Sequence, residues 1–129
     1  MQINKQVPIV TTSKLKALKA FYTQHLGFKV LLDVEEYLGL TSADGRLEVG
    51  FMAPGEGCTE YAGRGLTLAL EVPNADAEHA RLSGTGLRVT RSLQDNPWGD
   101  RSFVVQDPVG VSVYIHHPIA PTGNYAAPS

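Results

Sequence analysis

The chain has 129 residues, of which 43% are hydrophobic and 19% charged, so its length suits about one globular domain with a packed core. Its formal net charge is −2 and its Lys and Arg residues are scattered, which argues against a nucleic-acid partner. Its single cysteine excludes an internal disulfide, and no apolar run approaches the ~20 residues that span a bilayer. With no apolar signal core at the amino terminus, these features predict a cytoplasmic protein that binds neither nucleic acid nor membrane.

The first half of the chain predicts a strand, a helix and three more strands. A strand over residues 7–11 precedes an amphipathic helix, for which Thr12 or Ser13 is the expected cap. Gly27 suits the left-handed position that ends a helix, and Phe28 can fold back onto the helix. Strand-like runs follow over residues 28–34, 37–42 and 46–52.

The second half repeats this order of elements. A strand over residues 66–72 is followed by a helix over about 75–83, with Asn74 as its cap. Further strands are predicted over residues 87–92, 101–106 and 111–116. The expected caps Ser13 and Asn74 are 61 residues apart, and the glycines Gly27 and Gly86 are 59 apart, which indicates a duplicated unit.

The predicted fold class is α+β, with two βαβββ modules that form a cupped mixed sheet. Module one covers about residues 5–53, a Gly-rich linker residues 54–65, and module two about residues 66–117. The tail over residues 118–129 has no hydrophobic periodicity, so we expect it to be mobile unless Tyr125 anchors it.

The order and spacing of several motifs resemble the vicinal-oxygen-chelate superfamily, which includes glyoxalase I, extradiol dioxygenases, fosfomycin-resistance enzymes and bleomycin-resistance proteins. The resemblance covers about residues 7–117 and implies a glyoxalase/bleomycin-resistance-like fold and a homodimer. The matching residues are Phe21-Tyr22, Leu26-Gly27-Phe28, Glu71-Val72, Pro97-Trp98-Gly99, Arg101, Phe103, Asp107, Pro108 and Gly110.

Enzymes of that superfamily hold a divalent metal through His, Glu or Gln side chains. Counting from the motifs, the corresponding positions here are Val7, Val49, Thr67 and Tyr114. Valine has no lone pair to donate, and neutral Thr and Tyr are poor substitutes for imidazole and carboxylate. We therefore expect no metal, no cofactor and no catalytic residue. His116 and His117 face opposite sides of a strand, so they cannot jointly chelate one ion.

Without a metal, the cup becomes a mainly apolar pocket with a few hydroxyl groups, which is typical of small-molecule sites. Trp98 can stack on a planar or cationic ligand, although it could equally plug the core beneath its loop. Tyr37 and Phe103 are weaker candidates, because each could be a packing residue. The full set of predicted ligand-binding residues is Trp98, Tyr114, Phe51, Val49, Thr67, Val7, His116, Tyr37 and Phe103.

The resemblance then implies a metal-independent protein that binds a small molecule, such as a planar or cationic antibiotic, and confers resistance by sequestering it. The alternative is a metal-dependent lyase, isomerase or thiol transferase of the same superfamily. A third possibility is a dimeric interaction module without a ligand.

Overall fold

The computed structural model describes residues 1–125 and divides into two compact units, Met1–Gly63 and Arg64–Ser129. Among the described residues, each unit contains one α-helix and one four-stranded mixed sheet, so the predicted α+β fold of two βαβββ modules is confirmed. Among the described residues, no helix is long and apolar enough to cross a membrane.

The first unit packs helix α1 against one face of its sheet. Its strands lie in the order β1-β4-β3-β2, with β1 parallel to β4 and the other pairs antiparallel. Its elements are β1 (Ile9–Thr11), α1 (Leu15–Leu26), β2 (Lys29–Val34), β3 (Tyr37–Thr41) and β4 (Glu48–Met52). The buried side chains between helix and sheet include Val10, Leu18, Tyr22, Leu38, Leu40, Val49 and Phe51.

The carboxyl end of α1 is formed as the sequence predicts. Gly27 has φ +69°, in the left-handed region that favours glycine. The Phe28 amide donates to the Tyr22 carbonyl at 3.0 Å, and the two rings pack with centroids 5.4 Å apart. Phe28 therefore anchors the helix end in the hydrophobic core.

The predicted cap at the start of α1 is wrong. Lys14 occupies the N-cap position, and no side chain among the described residues caps the helix with a hydrogen bond. Thr12 Oγ1 accepts from the Lys14 amide at 3.2 Å, and the Ser13 amide and hydroxyl both donate to Glu60 Oε1. Because Glu60 engages Ser13, this serine ties the segment after β4 to the helix start instead.

The second unit has the same arrangement, with strand order β5-β8-β7-β6. Its elements are β5 (Thr67–Glu71), α2 (Ala75–Ser83), β6 (Val89–Asn96), β7 (Asp100–Gln106), β8 (Ser112–Pro118) and a short 3-10 helix (Gly123–Tyr125). The predicted Asn74 cap is confirmed, because Asn74 Oδ1 accepts from the Ala77 amide at 3.1 Å. Strand β6 runs four residues beyond its predicted end at Ser92.

The two faces of the second sheet have different chemistry. Phe103 is fully buried on the α2 side, edge-on to His79 with ring centroids 5.0 Å apart, and Val105, Val113 and Ile115 share its side. The opposite face, which we call the far face, carries Tyr114 and His116 with their paired neighbours on β7. Most polar side chains of this sheet lie there, apart from Asp95, Arg101 and His117 on the α2 side.

The segment after β8 contacts the loop between β6 and β7. The Ile119 amide donates to the Gly99 carbonyl, and the Thr122 amide donates to the Pro97 carbonyl, each at 2.9 Å. The Tyr125 ring lies 6.4 Å from the Trp98 ring, centroid to centroid. The last four residues of the predicted tail, 126–129, lie outside the described residues.

Candidate ligand-binding site

The hairpin between β6 and β7 gathers the polar side chains of the far face. Its loop, residues 97–99, places Asn96 directly opposite Asp100. Gln94 pairs with Ser102, and Arg91 pairs with Val104, whose partner on β8 is Tyr114. Paired residues point to the same side of a sheet. The far face therefore brings side chains of three strands together.

Asp100 lies at the centre of a hydrogen-bond network. Asn96 Nδ2 donates to its Oδ1 at 2.7 Å, while the Tyr114 hydroxyl and Trp98 Nε1 donate to its Oδ2 at 2.7 and 3.2 Å. Burial by itself would raise the pKa of the Asp100 carboxyl. The three hydrogen bonds and the nearby His116 outweigh burial and hold the pKa below its ordinary value. Asp100 is therefore a fixed, partly buried anion.

Asn96 connects two charged residues of this face. It is only 3% exposed, and its Nδ2 also donates to the Ser102 hydroxyl at 2.8 Å. Its Oδ1 accepts from Arg91 Nη2 at 3.0 Å. The carboxylate of Asp100 and the guanidinium of Arg91 are thus held at opposite ends of one buried amide.

Trp98 stands at the edge of this network and remains 46% exposed. Its N–H is fixed by Asp100, and the Arg91 guanidinium carbon lies 5.8 Å from the ring centroid. This exposure excludes the interpretation that Trp98 plugs the core. His116 lies next to Tyr114, with ring centroids 5.4 Å apart, so three of the predicted site residues are in one region of one sheet.

Two predicted site residues of the first unit face the helix of that unit. Val49 and Phe51 are fully buried, and the Phe51 ring packs against Tyr22 of α1 at 5.4 Å. The expectation that they line a cup is corrected, because these alternate residues of β4 face the helix. Likewise, the full burial of Phe103 against α2 separates it from the far face.

The remaining predicted residues lie on exposed or half-buried positions. Tyr37 extends across β4, where a Cβ on Gly50 would lie 2.0 Å from the Tyr37 hydroxyl oxygen. Val7 precedes β1 and is half-buried, whereas Thr67 begins β5 and is exposed. Thr67 pairs with Ser112 and therefore shares the far face with Tyr114.

The family model of the Glyoxalase/Bleomycin resistance protein/Dioxygenase superfamily matches residues 5–115. The chain belongs to this superfamily. An uncharacterized protein of Mycobacterium bovis is 40% identical over 52 residues, which are 40% of this chain and 34% of that protein. A counterpart in Mycobacterium tuberculosis matches over 31% of its length, so the aligned segment spans about a third of these curated relatives.

Solved structures with this fold include an antibiotic binding protein, a bleomycin resistance determinant and a lyase. The antibiotic binding protein TnmS3 from Streptomyces sp. CB03234 is 26% identical, with a TM-score of 0.75 over 92% of this chain and 98% of that one. A bleomycin resistance determinant encoded on the transposon Tn5 is 17% identical, with a TM-score of 0.70 over 90% and 98% of the two chains. Lactoylglutathione lyase from Agrobacterium tumefaciens is 17% identical, with a TM-score of 0.74 over 91% and 95%. The last two show the fold alone.

The residues of this superfamily member do not fit the divalent metal that the superfamily's enzymes hold. Val7 and Val49 offer no donor atom, and Val49 is fully buried under α1. The Tyr114 hydroxyl is a neutral group that donates to Asp100. Within residues 1–125, no three His, Cys, Asp or Glu side chains lie close enough together to hold an ion. His117 lies on the α2 side, where its Nδ1 accepts from the Ala75 amide at 2.7 Å.

Sequence reasoning did not find Asp100, Asn96 or Arg91. A signal for the first two was present, because a three-residue loop at Pro97-Trp98-Gly99 pairs the residues on either side of it. Arg91 gave no such signal, since irregularities in the register of β6 decide which way its side chain points.

Proposed function

We propose that this chain is a metal-independent small-molecule binding protein that holds a planar ligand against Trp98 on the far face of the second sheet. The observation that carries the proposal is the hydrogen bond of 2.7 Å that the Tyr114 hydroxyl donates to Asp100 Oδ2. The resemblance assigns a metal ligand to the position of Tyr114. We infer that this position serves a hydrogen-bond network here instead of a metal ion.

The network suits a binding role because it fixes the aromatic groups before a ligand arrives. The Trp98 indole N–H is bound by Asp100, and the ring keeps 46% of its surface exposed. A preorganised aromatic plane loses little conformational entropy on binding. Stacking of a planar ligand on it contributes about 0.5–1.5 kcal/mol beyond the area that is buried.

The chemical class of ligand that we propose is an antibiotic, which the protein would sequester. This part of the proposal is supported by the likeness to TnmS3, described as an antibiotic binding protein, and by the superfamily's bleomycin-resistance members. We further propose that the protein acts in the cytoplasm as a homodimer, since the resemblance to that superfamily implies a paired assembly.

A titration with bleomycin and with antibiotics that carry planar ring systems tests this function. Binding should change the emission of Trp98, the only tryptophan, and raise the melting temperature. At a ligand concentration about a hundred times the Kd, the free energy of unfolding should rise by about 2.7 kcal/mol.

Two variants separate stacking from structural support. Trp98→Ala should weaken binding by about 1–3 kcal/mol with an unchanged circular dichroism spectrum, whereas Trp98→Phe should keep most of the affinity because it keeps a ring. Equal affinity of wild type and Trp98→Ala for every ligand that binds would contradict the assignment of the site. The absence of any bound antibiotic across a broad panel would contradict the function.

A further inference from the structure

Arg91 is the one cation that the far-face network presents without a carboxylate partner among residues 1–125. Its Nη2 donates to Asn96 Oδ1 at 3.0 Å. When the Gln94 amide oxygen is oriented toward the guanidinium, it accepts from Arg91 Nε at 3.1 Å. Both partners are neutral amides, so neither neutralises the positive charge.

The geometry of Arg91 leaves part of its guanidinium available. A guanidinium has five N–H donors in a planar fork. With Gln94 in this orientation, the hydrogen bonds of Arg91 within the described part of the chain involve Nε and Nη2, and none involves Nη1. Trp98 lies against the group at 5.8 Å and restricts its orientation by a cation–π contact. Arg91 is half-buried, so its free donors are partly desolvated and remain accessible.

Asp100 is the anion of the same network, and unlike Arg91 it uses most of its hydrogen-bonding positions within the protein. Its two oxygens already accept from Asn96, Tyr114 and Trp98. A carboxylate has about four acceptor positions, and these three donors occupy most of them. The carboxylate is therefore stabilised by other side chains of the protein, whereas no carboxylate among residues 1–125 pairs with the guanidinium of Arg91.

We infer that Arg91 binds an anionic oxygen of the ligand, so the natural ligand is a planar aromatic molecule with a carboxylate, phenolate or related acidic group beside its rings. This inference rests on the proposed function, because it places the rings on Trp98 and the acidic group on Nη1 of Arg91. A cationic ligand would bring its charge toward an uncompensated guanidinium and is disfavoured.

The test uses three probes that share one ring system and differ in charge: 2-naphthoate, 2-naphthamide and 2-naphthylmethylammonium. Calorimetric titration at low ionic strength should show naphthoate binding about tenfold more tightly than the amide, and the ammonium most weakly. Arg91→Gln should abolish the difference between naphthoate and the amide, and Arg91→Lys should restore part of it because the charge returns without the fork.

Arg88→Gln is the matched control, since Arg88 is exposed, lies just before β6 and changes the net charge equally. It should leave the preference for naphthoate unchanged. If all three probes bind equally and Trp98→Ala weakens all of them, the stacking site stands and the role of Arg91 is wrong. Tighter binding of the ammonium would also overturn the inference. If no probe binds the folded wild type, the inference and the stacking site fail together.

Discussion

The Tyr114 hydroxyl donates to both carboxylate oxygens of Asp100, at 2.9 Å to Oδ1 and 2.7 Å to Oδ2. Tyr114→Phe removes this donor from a partly buried carboxylate, and it should lower the free energy of unfolding by about 1–3 kcal/mol. In an Asp100→Ala background, the same change should cost much less, because the acceptor is gone. Urea unfolding of the wild type, the two single variants and the double variant measures the coupling energy between Tyr114 and Asp100. Tyr125→Phe removes the hydroxyl of an exposed residue and keeps its ring beside Trp98, so it should have little effect.

Asp100 should also give the fold a dependence on acid pH. Its pKa lies below the ordinary 3.8 in the folded protein, so the ionised carboxylate stabilises the fold above that value. The contribution is lost as the pH falls through the lowered pKa. The stability difference between wild type and Asp100→Asn should therefore shrink between about pH 5 and pH 2 in urea unfolding. Glu56→Gln, which removes an exposed loop carboxylate, is the control for the loss of one negative charge.

The contrast between β8 and β4 shows how far the sequence predicts the site. On β8, apolar Val113 and Ile115 alternate with Tyr114 and His116, and the apolar residues face α2. On β4, apolar residues also alternate along the strand, so this pattern predicts that they face α1 and not a ligand. The metal-ligand position of the superfamily predicts instead that Val49 faces the cup. The full burial of Val49 under α1 contradicts that prediction.

Local patterns therefore predict the elements and much less of the site. The αL glycine at Gly27 and the cap at Asn74 depend on neighbouring residues, and both are confirmed. The orientation of Arg91 depends on two register shifts in β6, which arise from pairing with β7. Such irregularities are tertiary features that one strand's sequence does not specify.

The close approach of Tyr37 to Gly50 predicts a conditional effect of adding one methyl group. The new Cβ of Gly50→Ala would lie 2.0 Å from the Tyr37 hydroxyl oxygen and 3.2 Å from Ile9 Cγ1. The ring must move, at a cost of about 1–3 kcal/mol. In a Tyr37→Ala background, Gly50→Ala should be close to neutral in urea unfolding. Equal costs in both backgrounds would show that the ring does not set the limit.

The mismatch between the donor atoms and a divalent ion predicts independence from metal. Protein purified and dialysed without chelator should contain no stoichiometric Zn, Ni, Mn or Fe by elemental analysis. Treatment with EDTA should leave the melting temperature unchanged, because a bound metal would couple to stability. Stoichiometric metal with a chelator-dependent melting temperature would contradict the metal-independent function.

The exposed apolar residues of β2 predict self-association. Leu32 is 49% and Val34 42% exposed on this edge strand, which has one hydrogen-bonded neighbour. Exposed apolar edges favour pairing with another chain. Sedimentation at micromolar concentration should give twice the chain mass of 13.9 kDa. Leu32→Lys should shift this species toward monomer, whereas Lys29→Gln, a polar change on the same strand, should not. A wild-type monomer would contradict the homodimer.

The docking of residues 119–125 beside the Trp98 loop has a practical consequence for expression vectors. Two backbone hydrogen bonds and the Tyr125 ring join this segment to the loop. A Cβ on Gly99 would lie 3.1 Å from Pro121 Cγ, so the two backbones are close. An affinity tag or fusion partner attached after this segment could displace residues 119–125 from the loop and so disturb the position of Trp98. Tags for binding assays therefore belong at the amino terminus.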